Sequence, residues 1–169
     1  MGFEVAGVVV FDKIFPAMRQ LLGILVLSAA SVGLAESLLL SPTALVAPAD
    51  GKEVYVACAT GKRVLFVNTN SRKVIASIPT PEPPSGLAPS GDNKLLFVTC
   101  AAPESKACVV GVTKQQIVGT IPVGHTARAP VISPDGKTLF VCNQFNNNVS
   151  VIDLVARTLL HCAEERKTK

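Results

Sequence analysis

The stretch "SPDGKTLFVCN", residues 133–143, reads as a tight turn that feeds a strand. In Ser133-Pro134-Asp135-Gly136, proline presets the backbone angle a type I turn needs at its second position. Glycine at the end tolerates the left-handed conformation that lets the next strand start. Two earlier stretches repeat the pattern: "APADGKEVYVAC" (47–58) and "APSGDNKLLFVTC" (88–100). Val56, Val98 and Val141 hold the same place in all three, about 42 residues apart. A recurrence of this length marks a tandem structural repeat.

Further apolar runs flank each strand core. Behind it lie "RVLFVN" (63–68), "ACVVGV" (107–112) and "NVSVID" (148–153), and then "KVIASIPT" (73–80), "QIVGTIPVG" (116–124) and "RTLLHC" (157–162). In front stand "TALVAP" (43–48), "SGLAPS" (85–90) and "APVISP" (129–134). That makes four short strands per repeat and three repeats, spanning about 41–80, 85–124 and 129–162. "NTNSRK" (68–73) is a polar hairpin loop between the third and fourth strands, and Pro79 and Pro122 close the fourth.

Strands such as Leu139-Phe140-Val141-Cys142 are apolar on both faces, which predicts cover on both sides. No stretch after the N-terminal segment shows a helical period. Four-stranded units of this length, stacked face to face, predict an all-β fold of β-propeller blades: three antiparallel blades in an incomplete or open propeller. A two-sheet sandwich of a dozen strands is the alternative.

The chain has no Trp, which excludes a WD-type repeat signature. "SPDGKTLFVCN", "NVSVIDL" and "IPVGHTARAPVISPDG" resemble the YVTN-type β-propeller repeat family, whose members carry a Ser-Pro-Asp-Gly-Lys turn, a Tyr-Val-Thr-Asn-like strand and a Val-Ser-Val-Ile-Asp strand. The resemblance covers about residues 41–160. It is looser in the first two repeats, where "VYVAC" and "LFVTC" replace the namesake tetrapeptide. It implies an exported bacterial or archaeal protein of the periplasm or cell surface.

The N-terminus points the same way on independent grounds. "MRQLLGILVLSAASVGLAES", from Met18, has a short basic start at Arg19, an apolar stretch from Leu21 to about Ala30, and small residues ending at Ala35. That is the three-part layout of a secretory signal peptide, with cleavage expected after Ala35. The apolar run is short for a membrane span of about 20 residues, so contact with a membrane is expected only through this segment, as signal or anchor. Glu4 and Asp12 fit an export signal poorly, which makes Met18 a candidate true start. Residues 1–35 are therefore read as leader, 36–162 as the repeats, and 163–169 as a charged tail.

Hydrophobic residues make up 49% of the 169, enough for a core and too many for a disordered chain. The net charge of +4 is dispersed over turns and the tail, without a basic stripe carrying aromatics, so nucleic acid is not an expected partner.

Propellers use about four to eight blades, and three leave both end blades with an apolar face and no neighbour. A truncated or frameshifted reading frame accounts for this, motivated by the change from "DLVARTLL" to "HCAEERKTK". Assembly of identical copies into a homo-oligomer is the other account.

Five cysteines occur, at 58, 100, 108, 142 and 162, with no Cys-x-x-Cys spacing and no Cys-x-x-Cys-His haem attachment motif. Cys100 and Cys108 bracket "AAPESKA" at the mouth of a predicted hairpin, so in an oxidising compartment they are the disulfide candidate, worth about 2–3 kcal/mol in the chain-entropy account. Cys58 and Cys142 read as small buried core residues and Cys162 as part of the tail. No zinc site is expected from Cys and His161. His125, in "VGHTARAP" between repeats two and three, stands near Arg128. The two are candidates for a rim contact with an anionic ligand or a partner; otherwise His125 caps local backbone. "NVS" (148–150) matches a glycosylation acceptor but opens a predicted strand, and is discounted. No catalytic constellation stands out, and Asp50, Asp92, Asp135 and Asp153 are explained by turns and strand ends.

The expected function is a non-enzymatic binding or scaffold module that engages a protein or cell-surface partner, with no cofactor in this chain. One alternative is the front part of a periplasmic electron-transfer protein. Some longer relatives of such repeats join a propeller to a c-type cytochrome or di-haem peroxidase-like domain, which would place haem in a downstream domain. A second alternative is a fragment of a lactonase- or quinoprotein-like propeller enzyme.

Overall fold

The structure is a computed structural model that describes residues 40–164. The expected leader and signal peptide, and residues 165–169 of the tail, lie outside the described residues. Twelve strands follow one another: β1 (Pro42–Val46), β2 (Glu53–Cys58), β3 (Arg63–Asn68), β4 (Val74–Pro79), β5 (Pro84–Pro89), β6 (Leu95–Cys100), β7 (Lys106–Gly111), β8 (Gln116–Pro122), β9 (Ala127–Ile132), β10 (Thr138–Asn143), β11 (Asn148–Asp153) and β12 (Thr158–Glu164). They form three four-stranded sheets in sequence order, β1 to β4, β5 to β8 and β9 to β12. Every neighbouring pair within a sheet is antiparallel. The expected blades are present, with β3 and β11 on the anticipated residues and the other strand ends within two residues of them.

The hairpin that opens each blade recurs in atomic detail. In blade 3 the Ser133 hydroxyl donates to Asp135, Asp135 accepts from the Lys137 amide at 3.0 Å, and the Thr138 amide donates back to Ser133 at 2.9 Å. Blade 2 repeats all three bonds with Ser90, Asp92, Lys94 and Leu95. Blade 1 keeps only the bond from the Lys52 amide to Asp50, because Pro48 stands where the serine would be. The left-handed position is taken by Gly51, Asn93 and Gly136, at φ of 62°, 55° and 73°. Asparagine tolerates this region better than other residues with a Cβ, which is why the sequence of blade 2 can dispense with glycine. The serine hydroxyl and the lysine amide hold the Asp92 and Asp135 carboxyls below their ordinary range.

The innermost strands β1, β5 and β9 lie side by side and tie the blades together. Thr43 Oγ1 donates to the Pro84 carbonyl at 3.0 Å, and the Ser85 hydroxyl donates to the Ala127 carbonyl. Apolar residues alternate between the two faces of blade 2. Leu96, Val98, Cys100, Cys108 and Val110 pack with Tyr55, Ala57, Val64, Phe66 and Ile78 of blade 1. Phe97, Ala107, Val109 and Ile121 pack on the other side with Leu139, Val141 and Ile152 of blade 3.

Cover on both faces therefore holds for blade 2 alone among the described residues. In blade 3 Leu139 and Val141 are buried, but Phe140 is 39% exposed and Cys142 is exposed, contrary to the expectation for both. The period-2 alternation sends Phe140 and Cys142 to the face away from blade 2. The matching open face of blade 1 carries Leu45, 68% exposed, with Val54, Val56 and Leu65 half-buried.

Tyr55 is the chain's one tyrosine and is buried against Phe66, ring centroids 4.4 Å apart. Burial pushes its phenol up to about 12, with the neighbouring Glu53 carboxylate adding to the effect. A raised folded-state value favours the protonated form in the fold, so this stabilisation is whole below about pH 10 and is lost as the pH rises towards 12. With screening at the phenol tip, the loss should be about 1–2 kcal/mol. The tyrosinate absorbance of the folded chain should titrate near pH 12 and fall back to near 10 in denaturant. A folded midpoint near 10 would contradict the buried placement.

Candidate functional site

Because strand directions alternate, the connections at 59–62, 80–83, 101–105, 123–126 and 144–147 all lie at one end of the blades. They are stitched to one another. The Ala101 amide donates to the Pro83 carbonyl at 2.9 Å, Thr126 to Ala102 at 2.9 Å, and Val123 to Ser105 at 3.1 Å. Ser105 is the buried hub of this rim: its hydroxyl donates to the Ala102 carbonyl at 2.7 Å and accepts from the amides of Ala102 and Ala127 at 3.0 Å each. An exposed ion pair, Lys62 to Glu82 at 3.1 Å, crosses from one connection to the next and adds well under about 1 kcal/mol.

His125 is placed by an asparagine network. Asn143, the last residue of "LFVCN", is buried; its Oδ1 accepts from the Gly124 amide at 3.0 Å. Its Nδ2 donates to Asn148 Oδ1 at 2.7 Å and to the Ser150 hydroxyl at 2.8 Å. Asn146 Oδ1 accepts from the His125 amide, and His125 Nδ1 lies 2.8 Å from Thr126 Oγ1. The His125 ring meets Phe145 edge-on at 5.0 Å between centroids, and Phe145 is 65% exposed. His125 and Phe145 thus form a small aromatic platform on the rim. Gly124 is required beneath it, since a Cβ there would sit 2.5 Å from Asn143 Cγ and 2.6 Å from Asn146 Oδ1.

Arg128 is not part of this network. It lies on β9, exposed, in register with Cys142. Phe145 and Asn143 are the residues that sequence reasoning missed. The final Asn of "LFVCN" and the asparagine run at 146–148 were the available signals.

The disulfide candidates lie close together, though not directly opposite. The ladder pairs Cys100 with Lys106 and Val98 with Cys108, so the two cysteines are diagonal neighbours on the blade 1 side of blade 2. Both are buried free thiols, with sulfurs 3.7 Å apart. Donating to Cys108, together with burial, pushes the Cys100 thiol up. Accepting that bond, with Lys106 nearby, holds Cys108 below the ordinary thiol range. Cys100 also lines a cavity of about 400 Å³ with Pro81, Glu82, Ala102, Glu104 and Lys106. Cys58 is buried as expected. His161 and Cys162 lie on β12 and are exposed. Among the described residues no three His, Cys, Asp or Glu side chains converge on a common point.

Comparison of the sequence with protein-family models and with curated proteins finds no match. The fold is similar to solved structures. A chain of hydrazine synthase from Kuenenia stuttgartiensis superposes with a TM-score of 0.72 at 26% identity, over 76% of this chain and 37% of that one. The WD40 repeats of RRP9 superpose with a TM-score of 0.64 at 16% identity, over 76% of this chain and 40% of that one. The chain spans about two fifths of the length of either neighbour. The second likeness shows the propeller-type blade without the tryptophan of the WD signature, since blade geometry rests on strand pattern and turns.

Proposed function

We propose that this chain is an exported propeller-repeat protein of the YVTN type that acts as a non-enzymatic binding module, its rim contacting a protein or cell-surface partner. The observation that carries the reading is the platform at the blade 2 to blade 3 junction, where an exposed phenylalanine is held against His125 over an asparagine network anchored by the buried Asn143. Exposed aromatic side chains on a rigid support are the usual anchors of recognition surfaces. Arg128, exposed on the adjacent β9, supplies positive charge for an anionic contact.

The test immobilises the full chain and its Phe145→Ala variant and measures capture of solubilised cell-envelope components. Phe145 is mostly exposed, so the variant should melt like the parent while its affinity for the captured partner falls about 10-fold or more. Equal capture by a well-folded variant would remove the rim from the account.

A second reading makes the blades the front of a longer periplasmic electron-transfer protein. The match covers only 37% of the hydrazine synthase chain, which is compatible with the blades being one part of a longer protein. A Cys-x-x-Cys-His motif encoded downstream in the same gene would select it.

A further inference from the structure

Each blade has one diagonal pair of positions on its second and third strands near the rim. In blade 3 it is held by Asn143 and Ser150, whose side chains hydrogen-bond at 2.8 Å while Asn143 also pins the Gly124 connection. In blade 2 the same two positions are Cys100 and Cys108, and in blade 1 they are Cys58 and Leu65. Blade 2 alone has a thiol at both. Above it, Pro81 stands where blade 3 has Gly124, and proline has no amide hydrogen to give. The amide bridge of blade 3 is thus absent from blade 2, and the cavity lined by Pro81 and Cys100 lies there instead.

We propose that Cys100 and Cys108 form a thiol–disulfide exchange site that takes small disulfides through the rim cavity of the folded protein. Cys100, on the cavity wall, attacks one sulfur of an external disulfide R–S–S–R. A Cys100–S–S–R bond forms and R–S⁻ leaves, taking up the Cys100 proton as R–SH. Cys108, 3.7 Å away, then attacks the Cys100 sulfur and expels the second R–S⁻, which takes up the Cys108 proton. Two protein thiols are oxidised to one disulfide, and R–S–S–R is reduced to two R–SH. A disulfide bond is about 2.05 Å long, so closing it draws the two sulfurs together from 3.7 Å. None of this depends on the binding role assigned to Phe145.

The test uses the full chain carrying Cys142→Ser and Cys162→Ser, which removes the two exposed thiols and leaves three of five. The folded protein is incubated with oxidised glutathione, then unfolded, alkylated and weighed. The expected product has lost two thiols without gaining glutathione, and peptide mapping joins Cys100 to Cys108. Adding Cys108→Ser should stop the reaction at one glutathione on Cys100, with the cooperative melt retained. Three alkylatable thiols after incubation of the folded parent would overturn the proposal, as would modification that appears only in denaturant. If the Cys108→Ser variant does not fold, the thiol count of the parent decides alone.

Discussion

Phe66→Ala is expected to destabilise the three-blade unit by about 4 kcal/mol. Phe66 is 1% exposed and sits at the centre of the layer between blades 1 and 2. It pairs across the ladder with Tyr55 and with Ala76, and its ring lies against that of Tyr55 at an interplanar angle of 46°. Truncation removes the apolar contact and leaves a void that strands on both sides are too constrained to fill. A domain of this size is stable by only about 5–15 kcal/mol, so the loss is a large part of the whole. The measurement is the denaturant midpoint at constant m value, with the exposed Phe145→Ala as the control that should shift by under about 0.5 kcal/mol. A Phe66→Ala midpoint matching the control would mean that blades 1 and 2 do not share a core.

Gly86→Ala is expected to cost about 3 kcal/mol, by the opposite mechanism. A Cβ at position 86 would lie 2.3 Å from Pro130 Cδ, 2.9 Å from Thr99 Oγ1 and 3.1 Å from the Ala129 amide nitrogen. The proline ring and the backbone cannot swing aside as a flexible side chain would, so β5 and β9 must separate. That separation should strain the bond from Ser85 to the Ala127 carbonyl and loosen the packing of blade 3 on blade 2. Denaturant unfolding should show a lower midpoint, and amide exchange should quicken on β9 and β10 while β2 and β3 stay protected. Uniform exchange across all three blades, or an unchanged midpoint, would contradict the close approach of the two inner strands.

The blade pattern was legible in residues 41–162 because it is encoded locally. The turn at Ser133-Pro134-Asp135-Gly136 and its relatives at Asp50 and Asp92 depend on residues within five positions of one another. The strands depend on runs of apolar residues that need no partner to be recognised. The proximity of Cys100 and Cys108 could also be read from the loop they bracket, although the hairpin register makes them diagonal instead of opposed.

The rim was much less legible. The sequence marks His125 as a loop histidine, but its setting against Phe145 and Asn146 joins residues about 20 positions apart in separate connections. Arg128, close to it in sequence, belongs to a strand and stays outside the network. Cys142 occupies the strand position of Ala57 and Thr99, yet it is exposed where they are buried. The sequence repeats the strand. It does not say whether a neighbour stands against that face.

By itself, then, the sequence determined the repeat length, the four strands of each unit and the turns between them, since these follow from backbone preferences and period-2 patterning. Only the tertiary structure decided which residues share a face, which thiols meet, and where the rim presents an aromatic group. Those outcomes depend on register and on the stacking of one blade upon the next, and both are set by contacts between residues far apart in the chain.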